Sequence, residues 1–572
     1  MYDANRPEQA LALLQRLGAR LGADPEYVFL MSQVHLRMFN MPQAEHFARR
    51  AVQLARTPVS LIHLAVVLAV GEKTEESLAV VDQVLAGDPG NVNARLVRCN
   101  ALMARQRISE TLATCEEGLR YGWHPELCVS YASALMSLGE PERCAALLDE
   151  AVARFPDEVS LASLRAMAKT AHPTISPEEV AQAHRDFGAA VNRVKPAYTS
   201  AYVPEKDAER RLRVGLVSPD LRRHSVAFFV EPLLEHFDRE RLEIVCYPTN
   251  PIEDEVTKRL KRLASRWRPA VGKIELQLAE MLAEDRIDIA VDLAGHTEGG
   301  SLLAFGLRMA PVQATYCGYP DSTGLTQMDW RVVDSHTDPA TAEVDARATE
   351  RLWRLDPCFL CYRPPEEAPT PRLARGMDGA VTFGSFNASR KHNRHVCAVW
   401  SKILRAVPNS RLVLKAQDLK DASIRARLLG RFEAEGTADR VQILEAPKSL
   451  AAHLELYAQV DIGLDPFPYQ GTTTTCEALW MGVPVVTMAG HTHAGRVGVS
   501  LLSAVGAPEL IAQSEEDFVA RAVALAGDGA RLARYRAELR GMVAASPLLD
   551  GQGFCRRMEG ALRGMWRAYC GQ

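Results

Sequence analysis

The stretch Asp461–Thr487 leaves little freedom in how it folds. An apolar run ends at Asp465, prolines and glycines shape Pro466–Gly471, and four threonines then open a helix at about Thr473. Gly482 and Pro484 stop that helix, and a second apolar run, Val483–Met488, follows. Strand, loop, helix and strand in that order, with small hydroxyl residues at the helix start, make a site for an anion. Free N–H groups of the first turn and the positive end of the helix dipole point out of it. Thr472, Thr473, Thr474 and Thr475 add hydroxyl donors, and Glu477, one turn in, can accept from a ribose hydroxyl. One threonine at such a place is an ordinary helix cap. Four in a row after Gln470-Gly471, beside an acidic residue, point to a phosphate.

The surrounding sequence repeats this alternation twice. In the first series, strands are expected at Leu212–Ser218, Leu242–Pro248, Ile287–Leu293, Val312–Cys317 and Asp329–Asp334. Helices fall at His224–Phe237, Val256–Arg268 and Leu276–Ala283. The second series has strands at Ala380–Phe386, Arg411–Lys415, Val441–Leu444, Val460–Asp465 and Val483–Met488. Its helices are His395–Ala406, Ser423–Glu435, Leu450–Gln459, the threonine helix and terminal helices to the end. Such alternation predicts two parallel sheets covered on both faces, in lobes spanning 207–355 and 380–572, joined by the Pro- and charge-rich segment 356–379. Tandem doubly wound lobes place a cleft between the carboxyl ends of their sheets, where ligands settle.

Residues 1–170 carry helical patterns rich in Ala and Leu, punctuated at Pro25, Pro58, Pro89, Pro125 and Pro156. That recurrence of roughly 31–36 residues is near the tetratricopeptide period of about 34. Each interval reads as two amphipathic helices that cannot bury their apolar faces alone, so a solenoid of roughly four to five repeats is expected, with a concave surface suited to a protein partner. An irregular helical bundle is the plainer alternative. Segment 171–206 reads as one more helix, Glu178–Val194, and a polar linker.

Lys and Arg (67) nearly balance Asp and Glu (71), so net charge implies no nucleic-acid partner. No apolar run reaches membrane-spanning length, the first residues lack a signal-peptide pattern, and the cysteines are scattered as in a reducing cytosol. A soluble, cytoplasmic protein is therefore expected. Cys358 and Cys361 have ligand-like spacing but no second pair nearby, and His491 with His493 lacks an accompanying carboxylate, so no metal is expected. There is no phosphate-binding loop of the Walker type and no Asp-x-Asp pair placed to hold a metal–diphosphate.

Lys391 follows the first strand of the second series, on a loop facing the cleft, where an ammonium balances a diphosphate; in isolation such a lysine is more often a solvated surface charge. His224 occupies the matching loop of the first series, at a helix start, as general base, orienting group or plain surface histidine. Gly295–Gly300 and Tyr316–Gly324 are glycine-rich loops at strand ends that suit close approach to a sugar.

The set Arg213–Asp220 with His224, Gly318-Tyr-Pro320, Phe386-Asn387 with Lys391, Val407-Pro-Asn-Ser410, Ala446-Pro-Lys448, Asp461–Pro484 and Arg496-Val497 is highly specific. In this order, behind helical repeats, it resembles the O-linked N-acetylglucosamine transferases, glycosyltransferases of the GT-B fold. The resemblance covers nearly the whole chain. It implies metal-independent, inverting transfer of N-acetylglucosamine from UDP-N-acetylglucosamine to Ser or Thr hydroxyls of proteins held by the repeats, with no further cofactor. By it, Lys391 with Thr473 and Thr474 would neutralise the departing diphosphate, and Lys448 and Glu477 would hold the ribose. Ala446 would contact uracil, His453 would lie near the nucleotide, Gly318 and Pro320 would line the sugar pocket, and His224 would sit beside the anomeric carbon. Ala388 stands where eukaryotic members have glutamine, Thr472 where they have histidine and Leu456 where they have arginine. With the short repeat array and the absence of the long insert between lobes, these features resemble bacterial members. An asparagine-directed glucosyltransferase, or a UDP-binding repeat scaffold without turnover, are the alternatives.

Overall fold

The computed structural model describes residues 7–371 and 380–571, the side chains of Ala19 and Arg20 excepted. Part of the expected inter-lobe connection, 372–379, lies outside the described residues. The chain divides into two compact units, one of residues 1–138 with 421–424, the other of 139–420 with 425–572.

In the first unit the helices come in antiparallel pairs: Pro25–Arg37 with Met41–Leu54, Pro58–Val70 with Thr74–Gly87, and Val92–Ala104 with Ile108–Leu119, followed by Pro125–Ser137. Pro25, Pro58 and Pro125 each occupy the first helical turn, where a missing N–H costs nothing and φ is already helical. Asp24, Thr57 and Asn91 cap the helices that follow them by accepting from first-turn N–H groups. Small residues let the pairs close. Ala44, Ala48 and Ala65 are fully buried beside Leu64, Leu68 and Val81. The hydroxyls of Ser32 and Ser77 each donate across a pair to a carbonyl 12 residues away.

The second unit opens with helices Pro141–Arg154, Val159–Thr170 and Pro177–Val194. The last of these buries Phe187, Ala190 and Val191 against Val217, Tyr247 and Phe305 of the first sheet's core. That sheet has seven strands: β1 (Leu212–Ser218), β2 (Leu242–Pro248), β3 (Arg266–Trp267), β4 (Ile289–Asp292), β5 (Val312–Thr315), β6 (Trp330–Val333) and β7 (Arg351–Arg354). The second has six: β8 (Thr382–Ser385), β9 (Arg411–Leu414), β10 (Val441–Ile443), β11 (Ile462–Leu464), β12 (Val485–Met488) and β13 (Ile511–Ala512). All pairings are parallel, in the orders β3-β2-β1-β4-β5-β6-β7 and β10-β9-β8-β11-β12-β13. Both are Rossmann orders. Each reverses direction once, between β1 and β4 and between β8 and β11, and the loops leaving those strands splay apart into a crevice.

Three local expectations are corrected. The helix expected from His224 begins at Ala227, leaving His224 in the preceding turn. The basic helix ends at Leu263 rather than Arg268, because Arg266 and Trp267 pair with Val245 and Cys246 as an edge strand. The terminal helix Gly551–Cys570, assigned by chain order to the second lobe, packs on the first. Arg563 donates to the carbonyls of Ala208 and Arg210, the Trp566 indole donates to that of Asp207, and Glu559 accepts from Asp238 N. Its apolar stripe, Phe554, Met558, Leu562 and Trp566, is buried to 3% exposure or less, which a helix left on solvent could not achieve.

Two buried carboxylates hold the lobes together. Asp334, just past β6, accepts from Thr337 N, Phe359 N and the Ser500 hydroxyl. Asp338 accepts from His493 Nδ1 at 2.6 Å and pairs with Arg331. The carboxylate that the His491–His493 pair lacks in sequence thus arrives from 155 residues away, as an ion-pair partner.

Candidate functional site

The loop after β8 runs through Phe386 and Asn387 into a turn of 3₁₀ helix at Ser389–Lys391, and Asn393 caps the next helix by accepting from Val396 N. This places the half-buried Lys391 against the loop after β11. Its ammonium donates to the Gln470 carbonyl at 2.7 Å and lies 4.4 Å from the centre of the Tyr469 ring. Burial, then neighbouring Arg390, draw the Lys391 amine down to about 7, while Asp465 opposes them. Asp465, 1% exposed at the end of β11, accepts from Gly471 N and the Thr487 hydroxyl, both at 2.8 Å. Burial nonetheless pushes its carboxyl up to about 6. Gln470 ties the same loop to Met488 O and Gly498 N. A rigid loop therefore hands the chain to the threonine helix.

That helix runs Thr473–Trp480, and Thr472, its cap, makes no side-chain bond to the first turn. The first-turn N–H groups are left for a ligand. Of the hydroxyls, Thr474 donates to Asn387 Oδ1 at 2.9 Å, whereas the buried Thr473 hydroxyl has no partner among the described residues. Glu477 is 5% exposed and faces inward: Oε2 accepts from His453 Nε2 at 2.9 Å and from the Tyr457 hydroxyl at 3.3 Å. Lys415 Nζ lies 3.0 Å from His453 Nδ1. An ammonium only donates, so Nδ1 accepts and Nε2 carries the proton given to Glu477. The three side chains form one relay: Lys415, His453, Glu477. Burial lowers the Lys415 amine, opposed by Glu477 and Asp418. Ala446 is buried on the loop after β10, and Lys448 on the same loop is exposed, with no side-chain partner among the described residues.

His392, beside Lys391, is fully buried with neither ring nitrogen hydrogen-bonded among the described residues, and burial lowers it to about 3. Replacing an unpaired buried polar ring by an apolar one of similar shape removes a desolvation cost. His392→Phe is therefore expected to raise the thermal midpoint, by about 1 kcal/mol of stability. A lowered midpoint in a melting scan would mean that the ring has a partner.

In the first lobe, His224 projects from the loop after β1 with 40% of its side chain exposed and Nδ1 3.6 Å from Asp220 Oδ2. Burial lowers the imidazole and Asp220 opposes it, with Arg222 and Arg390 pushing further down. Arg390 belongs to the loop after β8, so the two switch-point loops face each other. Gly318 follows Cys317, whose φ is +48°, in the loop after β5. A Cβ on Gly318 would lie 1.9 Å from the Leu293 carbonyl, so only glycine fits. Pro320 lies half-buried two residues on. Burial raises the phenol of Tyr469, the ring beneath Lys391, with Arg390 opposing and Asp321 of this loop adding to the rise.

Sequence reasoning missed Lys415, Asp220, Gln470 and Tyr469. Lys415 ends an apolar run and Gln470 sits in a loop, and only the fold gives them partners. Among the described residues, no three His, Cys, Asp or Glu side chains converge to hold a metal, and no helix is long and apolar enough to cross a membrane.

Two Rossmann lobes meeting at their switch points, with a half-buried lysine beside a helix start whose cap makes no side-chain bond, define a GT-B glycosyltransferase fold. The chain belongs to glycosyl transferase family 41, whose family model matches residues 171–361 and 370–558. A probable UDP-N-acetylglucosamine–peptide N-acetylglucosaminyltransferase SPINDLY of Arabidopsis thaliana is 43% identical over 402 residues, 69% of this chain and 43% of the relative. Its counterpart in Oryza sativa subsp. japonica is 44% identical over 402 residues, with the same coverage of 69% and 43%. The chain thus spans about 43% of the length of these curated relatives. A solved Thermobaculum terrenum O-GlcNAc transferase, a lysine-to-methionine mutant, is 31% identical with a TM-score of 0.78, covering 96% of this chain and 99% of that one.

Proposed function

We propose that this chain transfers N-acetylglucosamine from UDP-N-acetylglucosamine to Ser or Thr hydroxyls of proteins, with inversion and without a metal. One observation carries the reading. Lys391 and the unpartnered Thr473 hydroxyl, at the uncapped start of the Thr473–Trp480 helix, supply positive charge and donors where a diphosphate would leave. The names of the Arabidopsis and Thermobaculum relatives support the donor and the acceptor class.

Thr472, Thr473 and Thr474 with Lys391 are assigned to the diphosphate. Ala446 and Lys448 are assigned to the uridine, with His453 held in place by Lys415 and Glu477. Glu477 is assigned to the ribose and, through Oε2, which accepts from His453, also orients that imidazole. Gly318 and Pro320 line the sugar. His224 is assigned beside the anomeric carbon, as base or orienting group: burial lowers its affinity for protons, Asp220 opposes this, and its Nδ1 accepts from Val226 N at 3.3 Å. The hydroxyl then attacks from the face opposite UDP, and charge developing on the leaving diphosphate falls on Lys391 and the helix start. The helical repeats present the acceptor protein. We assign the chain to the cytoplasm, on its scattered cysteines, all twelve of them free thiols.

The stereochemistry tests this mechanism. With UDP-N-acetylglucosamine and a serine-containing acceptor, an α-linked donor is expected to give a β-linked product by NMR, undiminished by a chelator. An α-linked product, or transfer from UDP-glucose alone, would overturn it.

A further inference from the structure

Gly318 and Pro320 flank a side chain that points away from the crevice. Tyr319 is 6% exposed, and its ring lies on Gly295, where a Cβ would come within 2.3 Å of Tyr319 Cβ. Its hydroxyl lies 3.0 Å from His184 Nε2 and 3.1 Å from Thr170 Oγ1. Those partners belong to helices Pro177–Val194 and Val159–Thr170, which precede the first sheet. His184 Nδ1 lies 2.8 Å from the Val180 carbonyl and must donate to it. Nε2 is then an acceptor, and the Tyr319 O–H donates to it.

The same two helices hold the rest of the loop. His296 Nε2 donates to the Thr323 carbonyl at 3.2 Å, so its Nδ1 accepts from the Ser163 hydroxyl at 2.9 Å. Gly188 and Gly324 meet backbone to backbone: a Cβ on Gly188 would lie 1.8 Å from the Gly324 carbonyl, and one on Gly324 1.9 Å from the His184 carbonyl. Glu350, itself 4% exposed, accepts from Ser322 and Thr323 on the far side. Helices outside both sheets thus fix the position of the loop that carries Gly318 and Pro320.

We infer that Tyr319 is a positioning residue for the donor sugar, through which the helix pair Val159–Thr170 and Pro177–Val194 sets the placement of Gly318 and Pro320. The inference rests on the proposed assignment of those two residues to the sugar. It explains why a buried phenol, rather than an apolar side chain, stands between them: a ring alone can slide on Gly295, whereas a donated hydrogen bond to a fixed imidazole cannot. The nucleotide is held by the other lobe, so loss of this tether separates the two halves of the donor.

The test uses the full chain and two variants, Tyr319→Phe, which removes the phenol hydroxyl, and Thr170→Val, which removes one of its partners, neither adding bulk. For Tyr319→Phe the KM for UDP-N-acetylglucosamine is expected to rise about tenfold. The inhibition constant of UDP is expected to stay at its wild-type value. Thr170→Val should move KM in the same direction by less, and it decides the matter if Tyr319→Phe does not fold. Wild-type KM in both variants overturns the inference, and so does a parallel rise in KM and in the UDP constant, which would mark general damage. A wild-type chain that transfers no sugar overturns instead the reading on which the inference rests.

Discussion

Lys391→Ala is expected to abolish sugar transfer while leaving the fold intact. Among the described residues the ammonium donates one hydrogen bond, to the Gln470 carbonyl, and lies half-buried over Tyr469. Removing it takes a charge out of a desolvating site rather than out of a structural ion pair, so the melting midpoint should hold or rise. The rate suffers because the diphosphate gains charge as the glycosidic bond breaks. Loss of one preorganised donor at such a centre costs about 10²–10³ in kcat. The same lysine sets a pH limit. Burial draws its amine down to about 7, so in the free protein the charged form is lost as pH rises through that value, and kcat/KM should fall on the alkaline side. Bound diphosphate favours the ammonium, so the kcat profile should extend to higher pH. A Lys391→Ala chain that transfers sugar at the normal rate would remove Lys391 from the mechanism.

Glu477→Ala is expected to weaken UDP binding by about a hundredfold, more than an exposed contact could. The carboxylate lies beneath the nucleotide loop, not on its surface. It accepts from His453 and Tyr457, and His453 in turn accepts from Lys415. Without it the His453 proton loses its acceptor, and the half-buried Lys415 amine loses the carboxylate that most opposes its desolvation, while the Tyr457 hydroxyl keeps the Thr474 carbonyl at 3.1 Å. Glu477→Gln keeps an acceptor oxygen and should lose less. Calorimetric titration with UDP, beside a melting scan, separates the two roles. UDP affinity equal to wild type in a folded Glu477→Ala chain would show that His453 needs no orienting partner.

Much of the site could be read from local sequence because its working parts are backbone devices. The threonine helix, the loop before it and the turn carrying Lys391 are each specified within a dozen residues by glycine, proline and hydroxyl side chains. Their partners could not be read in this way. Nothing near Glu477 in sequence announces His453 as its partner, and nothing near His493 announces Asp338, which comes from the other lobe. The edge strands β3, β7 and β13 escaped because two to four residues carry no period. The terminal helix was assigned to the wrong lobe because amphipathicity demands an apolar partner without saying which one.

Mass spectrometry of a cell lysate incubated with the purified chain and UDP-N-acetylglucosamine shows whether sugar is transferred to protein hydroxyls. N-acetylhexosamine is expected on Ser or Thr of lysate proteins, and is expected to be absent when the chain carries Lys391→Ala. No added sugar, despite clear binding of UDP, would contradict the proposed transfer and leave a nucleotide-binding scaffold.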